Sequence, residues 1–424
     1  MEKWVVLGGL GLSAIILAGM SGGKLADGEA APTFASDIAP LLFEKCTPCH
    51  RPGQVAPFSL MTYEDAQRRS GTIARVTEKR FMPPWKAVAG YGNFKHESRL
   101  TSEQVASIKA WHEAGAPLGD ASKQPRPPTF STEWALGKPD LLLSANRDYK
   151  LGAEGDDVYR NFVIKTDFKE PRWIRAIDVA PGNRKVVHHV IAFLDEGDRA
   201  KSLEAASKDG QPGYETSGGG VGFLPNGALG GWAPGLQPFA TPEGSGFLLK
   251  PGTSIVLQVH YHKSGKEEID RTKLAIYFAD EKIEREMRLA WIANPFFRLE
   301  PGNANKSVNM SFTLPFDATA YGAMPHMHML GKSMRAWVEL PDGREMPLVH
   351  VADWDFNWQL SYEFEKPLRI PAGSTIRATA VYDNSTGNPK NPHSPPKEVR
   401  WGEQTTDEMA LLIVSYTRDS VVGN

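Results

Sequence analysis

Two kinds of residue cluster in this chain have the types and spacing to do redox or metal chemistry. The first is Cys46-Thr47-Pro48-Cys49-His50, a C-x-x-C-H motif. Two thiols at that spacing with an adjacent imidazole match the attachment of a c-type haem: thioethers from Cys46 and Cys49, an axial iron ligand from His50. A zinc half-site would need two further thiol or imidazole ligands, and the chain has only 2 cysteines. A thioredoxin-type C-x-x-C would sit beside a βαβ pattern, whereas these flanks have helical spacing. The second kind is the histidine pair. Of 11 histidines, six fall into His188-His189, His260 with His262, and His326-Met327-His328. In an extended strand the i, i+2 pairs turn both rings to one face. Neutral imidazole is the commonest transition-metal ligand, so such a pair is half of a metal site; solvated surface histidines are the plain alternative.

The elements that must position these residues are of two types. Helical spacing covers residues 34–44, 62–77 and 102–114, the last opening with the capping-box sequence Thr101-Ser102-Glu103-Gln104. From Tyr159 onward the pattern changes to short alternating runs broken by Gly/Pro turns, among them 161–166, 173–179, 185–194, 253–262, 287–292, 375–382 and 409–416. Short strands at regular spacing with almost no helix indicate antiparallel sandwiches. Residues 210–235 read as one long Gly/Pro-rich loop, either a lid near a site or a solvated surface loop.

A chain of 424 residues is too long for one ordinary core. The expected layout is a signal peptide or anchor at 1–31, an all-α haem domain at 33–122, a linker at 123–145, and β-sandwich domains at 146–292 and 293–424. Lys3 followed by the uncharged run 4–20 reads as an export signal, cleaved or left as a membrane anchor. Either places the folded part outside the cytoplasm, in a bacterial periplasm, where c-type haem is attached. A formal net charge of −2, with acids and bases interspersed, gives no mark of nucleic-acid binding. Gly331-Lys332-Ser333 is not a phosphate loop, because His326 stands where that motif needs glycine.

The three-helix layout around Cys46 and Cys49 resembles a small cytochrome c domain. Within Phe81-Met82-Pro83-Pro84-Trp85, Met82 matches that family's Met-Pro-Pro loop and is the implied second axial ligand, with Met61 as the other candidate. Further along, Val187-His188-His189-Val190, Leu257-Gln258-Val259-His260-Tyr261, His326-Met327-His328 and Asp407-Glu408-Met409 occur in order. Over about residues 150–424 this series resembles the copper type II, ascorbate-dependent monooxygenases, which include peptidylglycine α-hydroxylating monooxygenase and dopamine β-monooxygenase. The resemblance implies two jelly-roll-like β domains with one copper each. His188, His189 and His260 would hold the first copper, which stores and passes on an electron. His326, His328 and Met409 would hold the second, where oxygen binds and a C–H bond is attacked. A His₂Met set is soft enough for Cu(I); His₃ alone could equally hold zinc.

Adjacent His188 and His189 point to opposite faces of an ideal strand, so joint ligation needs a local twist or different ring nitrogens. His262 shares a face with His260 as an extra ligand, a supporting group or a solvated histidine. Gln258 is placed to line a route between the coppers. Met324 stands where the peptide-amidating enzyme has a carboxylate-binding arginine, which argues against a glycine-extended peptide as substrate. The implied activity is hydroxylation of a small-molecule C–H bond with O₂. Two copper ions and one haem c would serve it, fed by an external electron donor. The alternatives are a haem/copper electron-transfer protein and a copper-binding β protein without turnover.

Overall fold

The computed structural model describes residues 31–420 apart from 55, 131–133, 217–219 and 235. The export signal expected within 1–31 therefore lies, but for its last residue, outside the described residues. Among these, no helix is long and apolar enough to cross a membrane.

The N-terminal part is helical. A π-helical turn, Phe34–Ile38, runs into Ala39–Lys45, and Tyr63–Arg68, Ser70–Glu78 and Ser102–Glu113 follow. Phe34, Ile38, Leu42, Ile108 and Trp111 form its buried core. The continuous helix expected over 62–77 breaks at Arg69, which has φ −113 and ψ 6. The cause is local: a Cβ on Gly71 would sit 3.0 Å from the His112 ring, and Ser70 Oγ meets His112 Nδ1 at 2.9 Å, so the chain bends to dock on the last helix. That helix is capped as expected. Thr101 Oγ1 accepts from the Gln104 amide at 3.2 Å, and Gln104 Oε1 accepts from the Thr101 amide at 2.9 Å.

The rest is mostly β. An eight-stranded sheet runs Leu141–Ser144, Lys273–Phe278, Arg172–Ala180, Ser245–Leu249, Arg285–Ala293, Leu411–Arg418, Ala318–His326, Tyr362–Ile370. A five-stranded sheet, Tyr214–Thr216, Val158–Lys165, Ser254–Tyr261, Val187–Asp195, Gly227–Trp232, shares a core with its first half. A four-stranded sheet, Lys306–Thr313, Thr375–Tyr382, Gly331–Glu339, Glu345–Val351, shares one with its second half. Arg285–Ala293 pairs antiparallel with Leu411–Arg418 across the expected boundary at 292/293, so one sheet is continuous through both β halves. Burial follows the pleat. Thr375–Tyr382 alternates strictly between half-buried and buried residues, whereas Ser254–Tyr261, central in its sheet, is buried throughout.

Two expected connections hold structure. The stretch expected as a linker at 123–145 contains Leu141–Ser144, which pairs with Lys273–Phe278, and Trp134, which packs on Ala176, Ala275 and Tyr277. The apolar run Leu141-Leu142-Leu143 finds a sheet edge that its polar neighbours obscured. The supposed loop at 210–235 contains the strands Tyr214–Thr216 and Gly227–Trp232. Glycine is used there for close approach: a Cβ on Gly231 would collide with the Val190 carbonyl oxygen.

The segment after Met82 docks on the C-terminal half. Trp85 meets Tyr362 edge-on at 5.2 Å, Phe94 stacks on Phe364 at 6.1 Å, and Lys86 pairs with Asp353 at 2.9 Å.

Candidate metal centres

His189 lies opposite His260 on neighbouring strands, and the register shifts between Val187 and His189. This β-bulge answers the difficulty of two adjacent strand residues. The extra residue rotates His188 so that both rings reach the same side. All three imidazoles then converge through the same atom. His188 Nδ1 is 3.2 Å from His189 Nδ1, which is 3.3 Å from His260 Nδ1, and one ligand atom from each residue lies within 4.8 Å of the others. Three nitrogens facing one another repel unless protons or a cation lie between them, so the geometry suits a metal ion.

Asp157 orders this trio. Its Oδ2 accepts from His260 Nε2 at 2.9 Å, which leaves the His260 lone pair on Nδ1. Its Oδ1 accepts from His262 Nδ1 at 2.8 Å, and Thr405 Oγ1 donates to Oδ2 at 2.7 Å. Burial pushes this carboxyl up, but the hydrogen bonds from His260, Thr405 and His262 outweigh that and hold it well below the usual range. His262, with its side chain 71% exposed, thus supports Asp157 and is outside the trio. Tyr159 stacks on His260 at 4.2 Å and 14°, and its hydroxyl donates to the Glu403 carbonyl. Gln258 lines the adjoining cavity and donates to Asn161 Oδ1 at 3.2 Å.

The strand Ala318–His326 ends on His326, and His328 lies just past it. Met327 is fully buried behind the pair, and the two rings stand 5.2 Å apart at 87°. His326 Nδ1 lies 2.6 Å from Gln359 Oε1 and His328 Nδ1 lies 3.1 Å from the Asp407 carbonyl. Both acceptors fix the proton on Nδ1 and leave Nε2 free to bind. Met409 lines the same cavity as both rings; it precedes the strand, which starts at Leu411 rather than 409. Burial pushes His188 and His326 down to about 4 and His328 to about 3, and takes His189 well below its ordinary value. Those four rings are therefore neutral at pH 7 and offer lone pairs.

Glu408 holds the second set together. Fully buried, it accepts from the amides of His328 at 2.8 Å, Leu330 at 2.6 Å and Met409 at 3.2 Å. Burial raises its carboxyl to about 8 against those amide bonds. Gly331 closes the turn where a Cβ would stand 2.6 Å from the Trp354 ring, and Trp354 Nε1 donates to the His328 carbonyl at 3.0 Å.

Both sets reach one cavity of about 910 Å³: His188 and His189 of the trio line it together with His326, His328 and Met409, and His260 stands behind them. Phe356 stands between them, with its ring 5.3 Å from that of His188 and 5.7 Å from that of His328.

Cys46, Cys49 and His50 lie at the end of the first helix, where the His50 amide bonds to the Cys46 carbonyl at 2.8 Å. Both thiols are unpaired, and burial pushes Cys46 up to about 12. His50 Nδ1 faces the Phe58 carbonyl at 3.2 Å, so Nε2 is the nitrogen left to ligate. Met82 lines a separate cavity of about 380 Å³ with Arg80, Trp85 and Arg99, to which Cys46, Cys49 and His50 do not contribute. Met61 follows Leu60, whose amide bonds to the His50 carbonyl at 2.9 Å.

Asp157, Glu408, Gln359 and Phe356 were not singled out by sequence. Only Glu408, inside Asp407-Glu408-Met409, stood within a motif.

No protein-family model and no curated protein matches the chain. Among solved structures it is similar to the major capsid protein of bacteriophage PM2 (9% identity, 66% of this chain and 98% of that one, TM-score 0.24). Others are the infectious bursal disease virus VP2 subviral particle (9% identity, 67% and 78%, TM-score 0.18) and a two-domain protein of unknown function from Bacteroides fragilis (12% identity, 60% and 94%, TM-score 0.17). Scores this low carry no argument about fold or function.

Proposed function

We propose that the chain is an exported copper-dependent monooxygenase with its own c-type haem, of the kind the ordered histidine motifs resemble. The overall change is R–H + O₂ + two electrons + two protons → R–OH + water. One observation carries the reading: two soft or borderline donor sets, a His₃ trio through His188 and His189 and a His₂ pair with Met409, reach a single cavity large enough for a substrate.

The donor chemistry fits the implied ions. Neutral imidazoles and a thioether match copper, and the two unpaired thiols with His50 match covalently attached haem. Copper supplies one-electron and oxygen chemistry when bound; the chain's residues orient, shield and tune. Asp157 keeps His260 turned Nδ1-inward, while Gln359 and the Asp407 carbonyl keep His326 and His328 turned Nε2-inward. Glu408 ties the His328 turn to the Met409 backbone. Phe356 places an apolar ring against one histidine of each set, His188 and His328. Cys46, Cys49 and His50 would hold the haem, with Met82 or Met61 as the second axial ligand. Carrying the haem on the same chain raises the effective concentration of the electron donor.

The test is copper and haem content of the purified chain, followed by oxygen uptake coupled to a hydroxylated product. Met409→Ala should cut hydroxylation by more than about a hundredfold, beyond the loss usual for a ligand's supporting partner. The haem spectrum and the copper of the His₃ trio should persist. Retained hydroxylation in that variant contradicts the assignment.

A further inference from the structure

The wall beside His326 is one face of the eight-stranded sheet, and its register can be read row by row. His326 faces Leu411, which faces Ala293; two residues further, Met324 faces Ile413, which faces Trp291. Same-face residues along a strand are about 7 Å apart, so any group held against the His326–His328 pair rests its next atoms on Met324, Ile413 and Trp291. All three line the cavity and all three are uncharged. Among the described residues that line it there is no lysine or arginine.

Two carboxylates do reach the cavity, and both are engaged. Glu363 pairs with Lys95, and Glu403 Oε1 accepts from the Gly220 amide. Neither belongs to the Met324–Ile413–Trp291 row that flanks His326. The lining also includes apolar side chains that are open to water: Leu224 is 85% exposed and Trp291 40%. A charge packed against these apolar side chains would lose part of its hydration with no cationic side chain there to replace it, whereas an apolar molecule gains by the same contact.

We propose that the substrate is an uncharged, mainly apolar small molecule, bearing a ring or short chain that lies on the Met324–Ile413–Trp291 row. This rests on the hydroxylase reading for the chemistry performed, but not for what the cavity binds. Met324 is the specificity-determining position, because it is the row member on His326's own strand, on the same face.

The test uses three probes of one shape and different charge: 4-methylbenzyl alcohol, 4-methylbenzoate and 4-methylbenzylamine. Dissociation constants are measured by calorimetry on the full chain, with and without copper. The alcohol should bind at least about tenfold more tightly than either ion, the loss expected for desolvating a charge without a partner. Met324→Arg should reverse the order and favour the benzoate. Because the unsubstituted chain already compares all three probes, the proposal remains testable if that variant does not fold. Equal or tighter binding of the benzoate or the benzylamine by the unsubstituted chain overturns the proposal, and so does failure of all three to bind. Hydroxylation confined to a charged substrate also overturns it while leaving the hydroxylase intact. Binding of the alcohol series with no oxygen uptake on any substrate removes the hydroxylase and leaves the neutral site.

Discussion

Asp157 braces the first donor set from outside it: one carboxylate accepts from His260, His262 and Thr405. Asn at this position keeps the shape but has one acceptor oxygen in place of two. Asp157→Asn should therefore weaken copper binding at the His₃ trio by about 10–100-fold, measured by competition with a chelator, with the His₂Met site little changed. Equal losses at both sites would point to general unfolding instead. The histidine pairs were legible in the sequence because their meaning lies in spacings of one and two residues. Asp157 was not, since its partner His260 is 103 residues away, nor was the grip of Glu408 on His328 and Leu330, 80 and 78 residues away. Any of the chain's acidic residues could have filled those roles on composition alone.

At the scale of elements, alternation marked most of the strands but not the departures from ideal geometry. The bulge at His188 makes three Nδ1 atoms converge, and nothing in Val187-His188-His189-Val190 announces an extra residue in the pairing. Glycine-rich Gly227–Trp232 has the sequence pattern of a loop because glycine is a poor strand former, although close packing on Val187–Asp195 favours it there. The strand Val158–Lys165, which begins one residue after Asp157, offers a pH test. Its Arg160 is fully buried, with Nε on the Pro212 carbonyl and its guanidinium paired to Asp209. The hydrogen bond from Arg160 holds the Asp209 carboxyl down, at about 2 against an ordinary 3.8. A depressed carboxyl contributes stability above its ordinary value and loses it as pH falls through the folded value. Thermal stability should therefore drop between about pH 4 and pH 2 by a modest amount, since Asp209 is partly solvated. Asp209→Asn should be less stable at pH 7 and show a flatter acid limb in thermal melts.

For the whole molecule, the sequence separated a helical N-terminal part from a long β part, and the structure has that division. What it could not supply is how the parts join. Pairing of Arg285–Ala293 with Leu411–Arg418 ties residues over a hundred positions apart into one sheet, and that sheet forms the cavity wall beside His326. Thr405 reaches Asp157 and Tyr159 reaches Glu403, so the C-terminal segment packs beside the first donor set. Packing of Trp85 and Phe94 against Tyr362 and Phe364 sets the segment after Met82 on the half that carries His326 and His328. Such contacts depend on shape and register over long separations, for which a single sequence holds no local signal.

Both donor sets should hold copper beside one shared cavity. Anomalous diffraction at the copper edge, from crystals of the full chain loaded with Cu(I), tests it most directly. Two peaks are expected, one among Nδ1 of His188, His189 and His260, the other among Nε2 of His326 and His328 and the Met409 sulfur. A single peak, or copper placed away from Met409, would contradict this.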